Sequence, residues 1–220
     1  MKVILLGATG MVGQGVLREC LVSSEVSSVL TVGRSITGQQ NPKLREIAHH
    51  DLTNLTAIEP ELAGYDSCFF CLGISSAGMS EESYTRITHD LTLSAARTLL
   101  RLNPNMTFSY VSGTGTDSSE KGRTMWARVK GRTENELLAL GFKSAYMFRP
   151  GYIQPLDGIK TKTPLYAFIY AVLGPLYPLF HAIVPQYVTT TRQVGKAMIA
   201  VAARGSSKTH LENRDINALA

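Results

Sequence analysis

Glycines at three-residue intervals follow an apolar run near the start of the chain and could bind the phosphates of a dinucleotide. Gly7 would allow a tight turn, Gly10 would let the backbone approach a pyrophosphate, and Gly13 would let the next helix pack closely on the strand. The N-terminus of that helix would offer free N–H groups and a partial positive charge. Its place between a buried strand and a helix makes this triplet predict dinucleotide binding. We expect cofactor contacts from the whole glycine loop, namely Gly7, Ala8, Thr9, Gly10, Met11, Val12 and Gly13.

An arginine follows the second predicted strand, where dinucleotide folds select their cofactor. Arg34 cannot accept hydrogen bonds from ribose hydroxyls, but it can pair with a 2′-phosphate and stack on adenine. This position therefore favours NADP(H) over NAD(H). Asp51, followed by Leu52, ends the third predicted strand. Two interpretations of Asp51 stay open: it meets the adenine amino group, or it forms a turn before the next helix.

The elements that must position these residues alternate along the chain. Continuous apolar runs predict strands buried on both faces, and apolar residues at helical spacing predict helices between them. Strands are predicted at residues 3–6, 29–32, 46–50, 67–72, 106–111 and 145–148, and a short one at 209–212. Helices are predicted at 11–22, 55–62, from the N-cap Ser80 to 102, at 125–140 and at 191–204. This alternation implies an α/β fold with a doubly wound parallel sheet, the Rossmann fold, in a single domain over residues 1–220.

These residues together resemble the atypical branch of the short-chain dehydrogenase/reductase superfamily, including small bacterial epimerase-like proteins. The resemblance covers nearly the whole chain. Its carriers are the glycine loop, Arg34, Asp51-Leu52, Cys71-Leu72-Gly73, Val111-Ser112-Gly113, Lys130 and Arg149-Pro150-Gly151. It implies that Cys71, Leu72, Gly73, Lys130 and Pro150 also contact the cofactor.

The resemblance assigns catalytic roles to three residues and exposes one departure. Family members carry a tyrosine that transfers a proton and, four residues later, a lysine that holds the nicotinamide ribose. Lys130 stands at the lysine position, but Trp126 stands at the tyrosine position, and an indole N–H cannot exchange a proton near neutral pH. Ser112 is the first choice for the hydroxyl that orients the substrate oxygen, with Thr114 as the alternative.

Two other tyrosines could supply the missing phenol. Tyr84 lies at the start of the helix predicted from Ser80 and Tyr152 follows the sixth strand, both near the edge of the sheet where ligands bind. The alternative interpretation of each is a partly buried aromatic residue with a satisfied hydroxyl.

An apolar segment lies near the C-terminus, within a small cap or interface region predicted at 151–190. Between Lys162 and Arg192 the chain has no charged residue when His181 is neutral. Pro175 and Pro178 would break a membrane-spanning helix near its middle. Three alternatives stay open: the wall of a pocket for a largely apolar substrate, a homodimer interface, or peripheral membrane contact through residues 164–188.

Composition limits the other classes of function. The net charge of +5 is scattered without a basic run, so no nucleic-acid partner is expected. Cys68 and Cys71 are three apart on a predicted strand and would point to opposite faces, which argues against a metal or redox pair. His49, His50 and His89 are interpreted as structural or exposed, so no metal is expected. The chain has no secretory signal, and a cytoplasmic location is expected.

Two functions are compatible with these residues. The first is an NADP(H)-dependent oxidoreductase or epimerase-like enzyme that acts on a small, largely apolar carbonyl substrate. In it, Lys130 would hold the ribose, Ser112 would orient the carbonyl, and a water or another phenol would supply the proton. The second is a non-catalytic NADP(H)-binding module that senses redox state or binds a partner, which Trp126 favours.

Overall fold

The strands and helices of the chain alternate as the sequence predicts. The computed structural model describes residues 1–159, 161, 177 and 183–220. Its strands are β1 (Lys2–Leu6), β2 (Ser28–Gly33), β3 (Leu44–Ala48), β4 (Ser67–Phe70), β5 (Thr107–Val111), β6 (Ser144–Arg149), β7 (Tyr152–Gln154), β8 (Val188–Thr190) and β9 (His210–Glu212). Its helices are α1 (Met11–Val22), α2 (Glu59–Leu62), α3 (Glu81–Thr85), α4 (Leu91–Leu102), α5 (Met125–Ala139), α6 (Thr191–Arg204) and α7 (Asn213–Leu219).

Seven of these strands form one parallel sheet in the order β3-β2-β1-β4-β5-β6-β9. The strand β1 lies between β2 and β4, and Val3 is opposite both Val29 and Ser67. The chain therefore leaves β1 to one side and returns to the other, and ligands of such sheets bind at the carboxyl edge beside this reversal. The predicted doubly wound Rossmann fold is confirmed. A separate parallel pair, β7 with β8, lies outside the main sheet.

The strands are buried on both faces because helices cover both sides of the sheet. Val3 and Leu5 of β1 pack into the core layer that contains α1 and α6, whereas Ile4 and Leu6 pack into the layer that contains α4. Cys68 packs in the second layer and Cys71 against the first. The prediction that these two thiols lie on opposite faces is thus confirmed.

Two predicted helices differ in detail from the observed ones. The segment predicted at 55–62 is a 3₁₀ turn, Thr56–Ile58, followed by the short α2, in whose first turn Pro60 lies. The helix predicted from Ser80 to 102 contains one turn of π-helix at Arg86–Asp90, between α3 and α4. Ser80 is the N-cap, as predicted, because its Oγ accepts a hydrogen bond of 3.2 Å from Ser83 N.

The helices α1 and α6 cross at glycines that the sequence pattern does not single out. A Cβ added to Gly195 would lie 2.9 Å from Glu19 Cβ, and one added to Gly15 would lie 2.5 Å from Thr191 Cβ. The two backbones can therefore approach one another only because these positions carry no side chain.

The apolar segment predicted to form a cap falls mostly outside the described residues. Ile183 and Tyr187, at its end, are exposed. Within the described parts of the chain, no helix combines the length and apolar character needed to span a bilayer.

Candidate functional site

The glycine loop passes between β1 and the chain that leaves β4. Gly7 has φ +85°, and a Cβ there would lie 2.6 Å from Leu72 N. A Cβ at Gly13 would overlap the Gly7 carbonyl oxygen and lie 2.7 Å from the Gly7 carbonyl carbon. The loop is thus so tight that both positions require glycine.

The N-terminus of α1 is open toward the carboxyl edge of the sheet. Its N-cap is Gly10, which offers no side-chain cap, and no acidic residue stands in the first turn. Gly10 N donates to Gly7 O at 2.9 Å, and Gln14 Nε2 donates to Thr9 O at 3.2 Å, so the loop holds its own shape. Ala8 is buried and Met11 and Val12 are partly buried, which directs their side chains toward the core. This cradle of backbone N–H groups fits the pyrophosphate of a dinucleotide.

Arg34 and Asp51 follow neighbouring strands at the same edge. Arg34 comes directly after β2, is exposed, and makes no hydrogen bond or ion pair with any described residue. Asp51 Oδ1 accepts hydrogen bonds from Thr53 N at 3.0 Å and Thr53 Oγ1 at 2.5 Å, and these bonds hold the pKa of Asp51 below its ordinary value. The turn interpretation of Asp51 therefore has a structural basis. The side chain of Leu52 is buried in the core.

The residues after β4 pack against the glycine loop, whereas the residues after β6 contact the loop that follows β5. Cys71 N donates to Leu6 O at 2.9 Å, which continues the sheet one residue past β4. Its thiol lies 4.0 Å from Met198 Sδ in the core, Leu72 is partly buried, and Gly73 is exposed. Pro150 is buried, and its carbonyl accepts a hydrogen bond from Thr114 N at 2.9 Å.

Ser112 and Lys130 meet at the end of β5. Lys130 Nζ donates to the Ser112 carbonyl oxygen. Burial lowers the pKa of Lys130 to about 8, and the negative charge of Glu134 opposes this effect. The Ser112 hydroxyl donates to the Glu134 carboxylate and lies 3.1 Å from Phe148 O, so it faces the interior. Thr114 is exposed, and its Oγ1 donates to Arg149 O at 3.0 Å.

Trp126 lies over the loop that follows β5. A Cβ on Gly115, which has φ +86°, would lie 3.4 Å from Trp126 Cη2. The indole N–H makes no hydrogen bond to any described residue. Trp126 and Lys130 are four residues apart on α5 and share one face of that helix. The indole is therefore an aromatic surface beside Gly115, and its N–H has no acceptor among the described residues.

A buried ionic network beneath this site was missed by the sequence interpretation. The Glu134 side chain is 0% exposed, and Arg149 Nε lies 3.1 Å from its Oε1. Arg149 also donates to Ser118 Oγ at 2.5 Å and pairs with Glu212 at 3.3 Å. Glu134 lies among the buried positions of α5, four residues after Lys130, and this spacing could have revealed a buried carboxylate but not its partners.

The two alternative phenols and His89 are each held by packing or by hydrogen bonds. Tyr84 is buried in the core, and Tyr152 Oη donates to Gln154 Oε1 at 2.9 Å. His89 is buried with its two ring nitrogens 2.7 Å from Asp90 Oδ1 and 2.9 Å from Glu136 Oε1. Across residues 1–159, 161, 177 and 183–220, no three His, Cys, Asp or Glu residues are grouped to hold a metal ion.

Solved structures share this fold over almost all of the chain. The enzyme WbmF of Bordetella bronchiseptica, solved with NAD⁺, has a TM-score of 0.68 at 14% identity and covers 99% of this chain and 76% of its own. A short-chain dehydrogenase/reductase of Saccharomyces cerevisiae has a TM-score of 0.68 at 12% identity and covers 100% and 98%.

Curated relatives extend the likeness to the sequence. The protein fmp52-2 of Aspergillus terreus is 28% identical over 200 residues, which cover 90% of this chain and 85% of that protein. FMP52-2 of Scheffersomyces stipitis is 32% identical over 152 residues, which cover 68% and 65%. Rat HTATIP2 is 29% identical over 156 residues, which cover 69% and 62%. The chain therefore has the fold of a short-chain dehydrogenase/reductase structure and is similar in sequence to the FMP52 proteins and to HTATIP2.

No protein-family model matches the sequence. The likeness to solved structures shows the fold, and the candidate site rests on the chain's own residues.

The relatives correct the expected cytoplasmic location. The proteins fmp52-2 of A. terreus and FMP52-2 of S. stipitis are both named mitochondrial. The expectation rested on composition and on the absence of a secretory signal. Neither observation separates one compartment from another, because a Rossmann domain folds by the same core packing wherever it resides.

Proposed function

We propose that the chain binds NADP(H) across the carboxyl edge of its sheet and acts as an oxidoreductase or epimerase-like enzyme on a small, largely apolar carbonyl substrate. The observation that carries this proposal is the glycine cradle. A side chain at Gly7 or Gly13 would overlap neighbouring backbone atoms. The helix α1 begins within this loop and has no side-chain cap at its N-terminus. Such a site attracts a phosphate anion and rejects bulkier or cationic groups.

The preference for NADP(H) rests on Arg34. It stands directly after β2 with its guanidinium unpaired within the described residues. A 2′-phosphate would give this cation a partner with matching planar geometry, whereas the 2′-hydroxyl of NAD(H) would not.

Lys130 and a nearby hydroxyl group would have different roles around the nicotinamide. The bound cofactor would supply or accept a hydride. Lys130 would donate hydrogen bonds to the nicotinamide ribose from its place at the end of β5. Of the two candidate hydroxyls, that of Ser112 is buried and donates to Glu134, whereas that of Thr114 is exposed and donates to Arg149 O, so Thr114 is better placed to orient a substrate oxygen.

The proton must come from a group other than Trp126. The indole keeps its N–H at neutral pH, so it can polarise a substrate oxygen but cannot protonate it. Water at the open edge of the site is the simplest source. Tyr152 is a second source, although its hydroxyl is held by Gln154 and burial raises its pKa.

Trp126 also supports a second candidate function, a non-catalytic NADP(H)-binding module. In this alternative the bound cofactor would report redox state or order a surface for a partner. Such a module would not need a positioned acid.

Titration of the purified protein with NADPH and NADH tests the shared part of both functions. Energy transfer from Trp126, the one tryptophan of the chain, to the reduced nicotinamide would report binding near α5. We expect saturable transfer with NADPH and its loss in Gly13→Ala, with unchanged circular dichroism as evidence that the variant is folded. The absence of binding of either cofactor to the wild type would refute the proposal.

A further inference from the structure

We propose that Glu134 is a positioning residue that keeps the Lys130 side chain charged and directed at the carboxyl end of β5. The inference rests on the proposed function only where it assigns Lys130 to the cofactor ribose. Glu134 and Lys130 are separated by four residues on α5 and share one face of the helix. Both contact Ser112, Glu134 through the hydroxyl and Lys130 through the carbonyl oxygen.

The balance of charge in this network depends on Glu134. The network holds two cations, Lys130 and Arg149, around a single carboxylate that is 0% exposed. Arg149 has a second partner in Glu212, at 3.3 Å. Lys130 forms no ion pair with any described residue, and Glu134 is the charge that opposes the cost of burying its ammonium group.

The other groups around the network do not replace this carboxylate. Glu212, from β9, is 51% exposed and therefore screened by water. His210, also from β9, has its Nε2 at 3.6 Å from Glu134 Oε2 and adds no negative charge. From the other side come the phenols of Tyr84 and Tyr110, and burial raises the pKa of Tyr110 so that it stays neutral.

Glu134 also affects the direction of the Lys130 side chain, and it does so through Ser112. Its hydroxyl is fixed by Glu134 and its backbone N–H by Phe148 O at 2.8 Å, so its carbonyl oxygen has one orientation. That carbonyl is the acceptor that Lys130 Nζ contacts. Glu134 thus sets both the charge of Lys130 and the direction in which the ammonium points.

Removal of the Glu134 charge should make Lys130 lose its proton more easily. The guanidinium of Arg149 keeps its proton at any accessible pH, so the repulsion between the two cations can be relieved only at Lys130. In Glu134→Gln we expect the pKa of Lys130 to fall by about one pH unit or more below the wild-type value.

The experiment follows the Lys130 side chain by NMR in protein labelled with [¹³C,¹⁵N]lysine and free of cofactor. The Lys130 resonances are assigned with Lys130→Arg and titrated in the wild type, Glu134→Gln and Glu136→Gln. Glu136 is a matched control, since it lies two residues further along α5 and contacts His89 and Arg132 instead. A lowered Lys130 titration in Glu134→Gln alone supports the inference, and an unchanged titration in a folded Glu134→Gln overturns it.

A second measurement needs no variant and decides the matter if Glu134→Gln does not fold. In the wild type, the ¹³C shift of the Glu134 carboxyl carbon should inflect at the pH at which Lys130 titrates. A flat Glu134 signal across that pH range would overturn the inference. Both measurements are made without NADPH, so a wild type that fails to bind NADPH refutes the proposed function and leaves this test intact.

Discussion

Gly15 on α1 and Thr191 at the start of α6 are in direct backbone contact: a Cβ on Gly15 would lie 2.5 Å from Thr191 Cβ and 2.8 Å from Thr191 O. Thr191, which a side chain on Gly15 would displace, also fixes the segment after β7. Its Oγ1 accepts a hydrogen bond of 3.2 Å from Leu156 N. This one contact therefore joins α1, α6 and the chain that leads toward residue 160.

Gly15→Ala should destabilise the whole domain, because backbone atoms cannot yield as a flexible side chain can. We expect the free energy of unfolding to fall by about 1–3 kcal/mol, the usual cost of overpacking a core. Urea denaturation followed by circular dichroism measures the change. Gly33→Ala is the matched control, since its Cβ would find its nearest neighbour, Ser35 O, at 3.7 Å. Equal stability of the two variants would contradict the close packing of α1 on α6.

Arg34→Glu should change which cofactor the protein prefers. Replacing this cation with an anion should weaken NADPH binding by about 10- to 100-fold, the range expected when a charge-assisted hydrogen bond is lost, and leave NADH nearly unaffected. Energy transfer from Trp126 measures both dissociation constants.

The control for Arg34→Glu is Lys143→Glu, which makes the same change of charge. Lys143 is exposed at the amino end of β6, on the opposite edge of the sheet. A similar loss of NADPH affinity in both variants would mean that net charge, rather than a 2′-phosphate contact, controls binding.

Trp126→Tyr separates the two candidate functions. A tyrosine there would share a helix face with Lys130 and place a phenol beside the loop of Thr114 and Gly115. If the site is catalytic, the variant should oxidise NADPH with aliphatic and aromatic aldehydes about 100-fold or more faster than the wild type, as expected for a restored general acid.

The measurement is NADPH absorbance at matched cofactor saturation. Trp126→Phe is the control, because it keeps an aromatic ring without an ionisable hydroxyl. Tight NADPH binding with no turnover in any of the three proteins would favour the non-catalytic module.

The affinity for NADPH should depend on pH through Lys130. Because the pKa of Lys130 is lowered to about 8, its ammonium is largely charged below that pH and largely neutral above it. The charged form is the better donor to the ribose and attracts the anionic cofactor, so affinity should be highest below pH 8. Above it, the dissociation constant should rise by at most about tenfold per pH unit.

Titrations from pH 6.5 to 9.5 at constant ionic strength measure this dependence. Lys130→Met should bind more weakly and lose the inflection. An inflection that persists in Lys130→Met would assign the dependence to another group.

The sheet could be predicted because its strands carry their own signal. β1 is apolar at every position from Val3 to Leu6, and only a strand covered on both faces needs that pattern. The cap at Ser80 is likewise local, since the hydroxyl that accepts from Ser83 N lies three residues away. Patterns that span only a few consecutive residues can be recognised in the sequence without knowledge of the fold.

The buried network could not be predicted because its partners come from distant strands. Glu134 meets Arg149 across the boundary between α5 and β6, and Arg149 meets Glu212 only after β9 joins the sheet. The sequence placed Lys130 and Trp126 on one helix face, but it gave no reason to turn the Ser112 hydroxyl inward. Local spacing predicts which residues share a face, whereas tertiary contacts decide what each side chain binds.

The strand order has a consequence for how the protein is made. The strands β3, β2, β1, β4, β5 and β6 are all synthesised before β9, which adds to the edge of the sheet beside β6. A nascent chain can therefore assemble six of the seven strands while Arg149 still lacks Glu212 and Glu134 still lacks His210 as a neighbour. Because synthesis runs from the N-terminus, the residues of the glycine loop and of β1 to β6 are available before β9, whereas the charged neighbours around Glu134 and Arg149 are completed last.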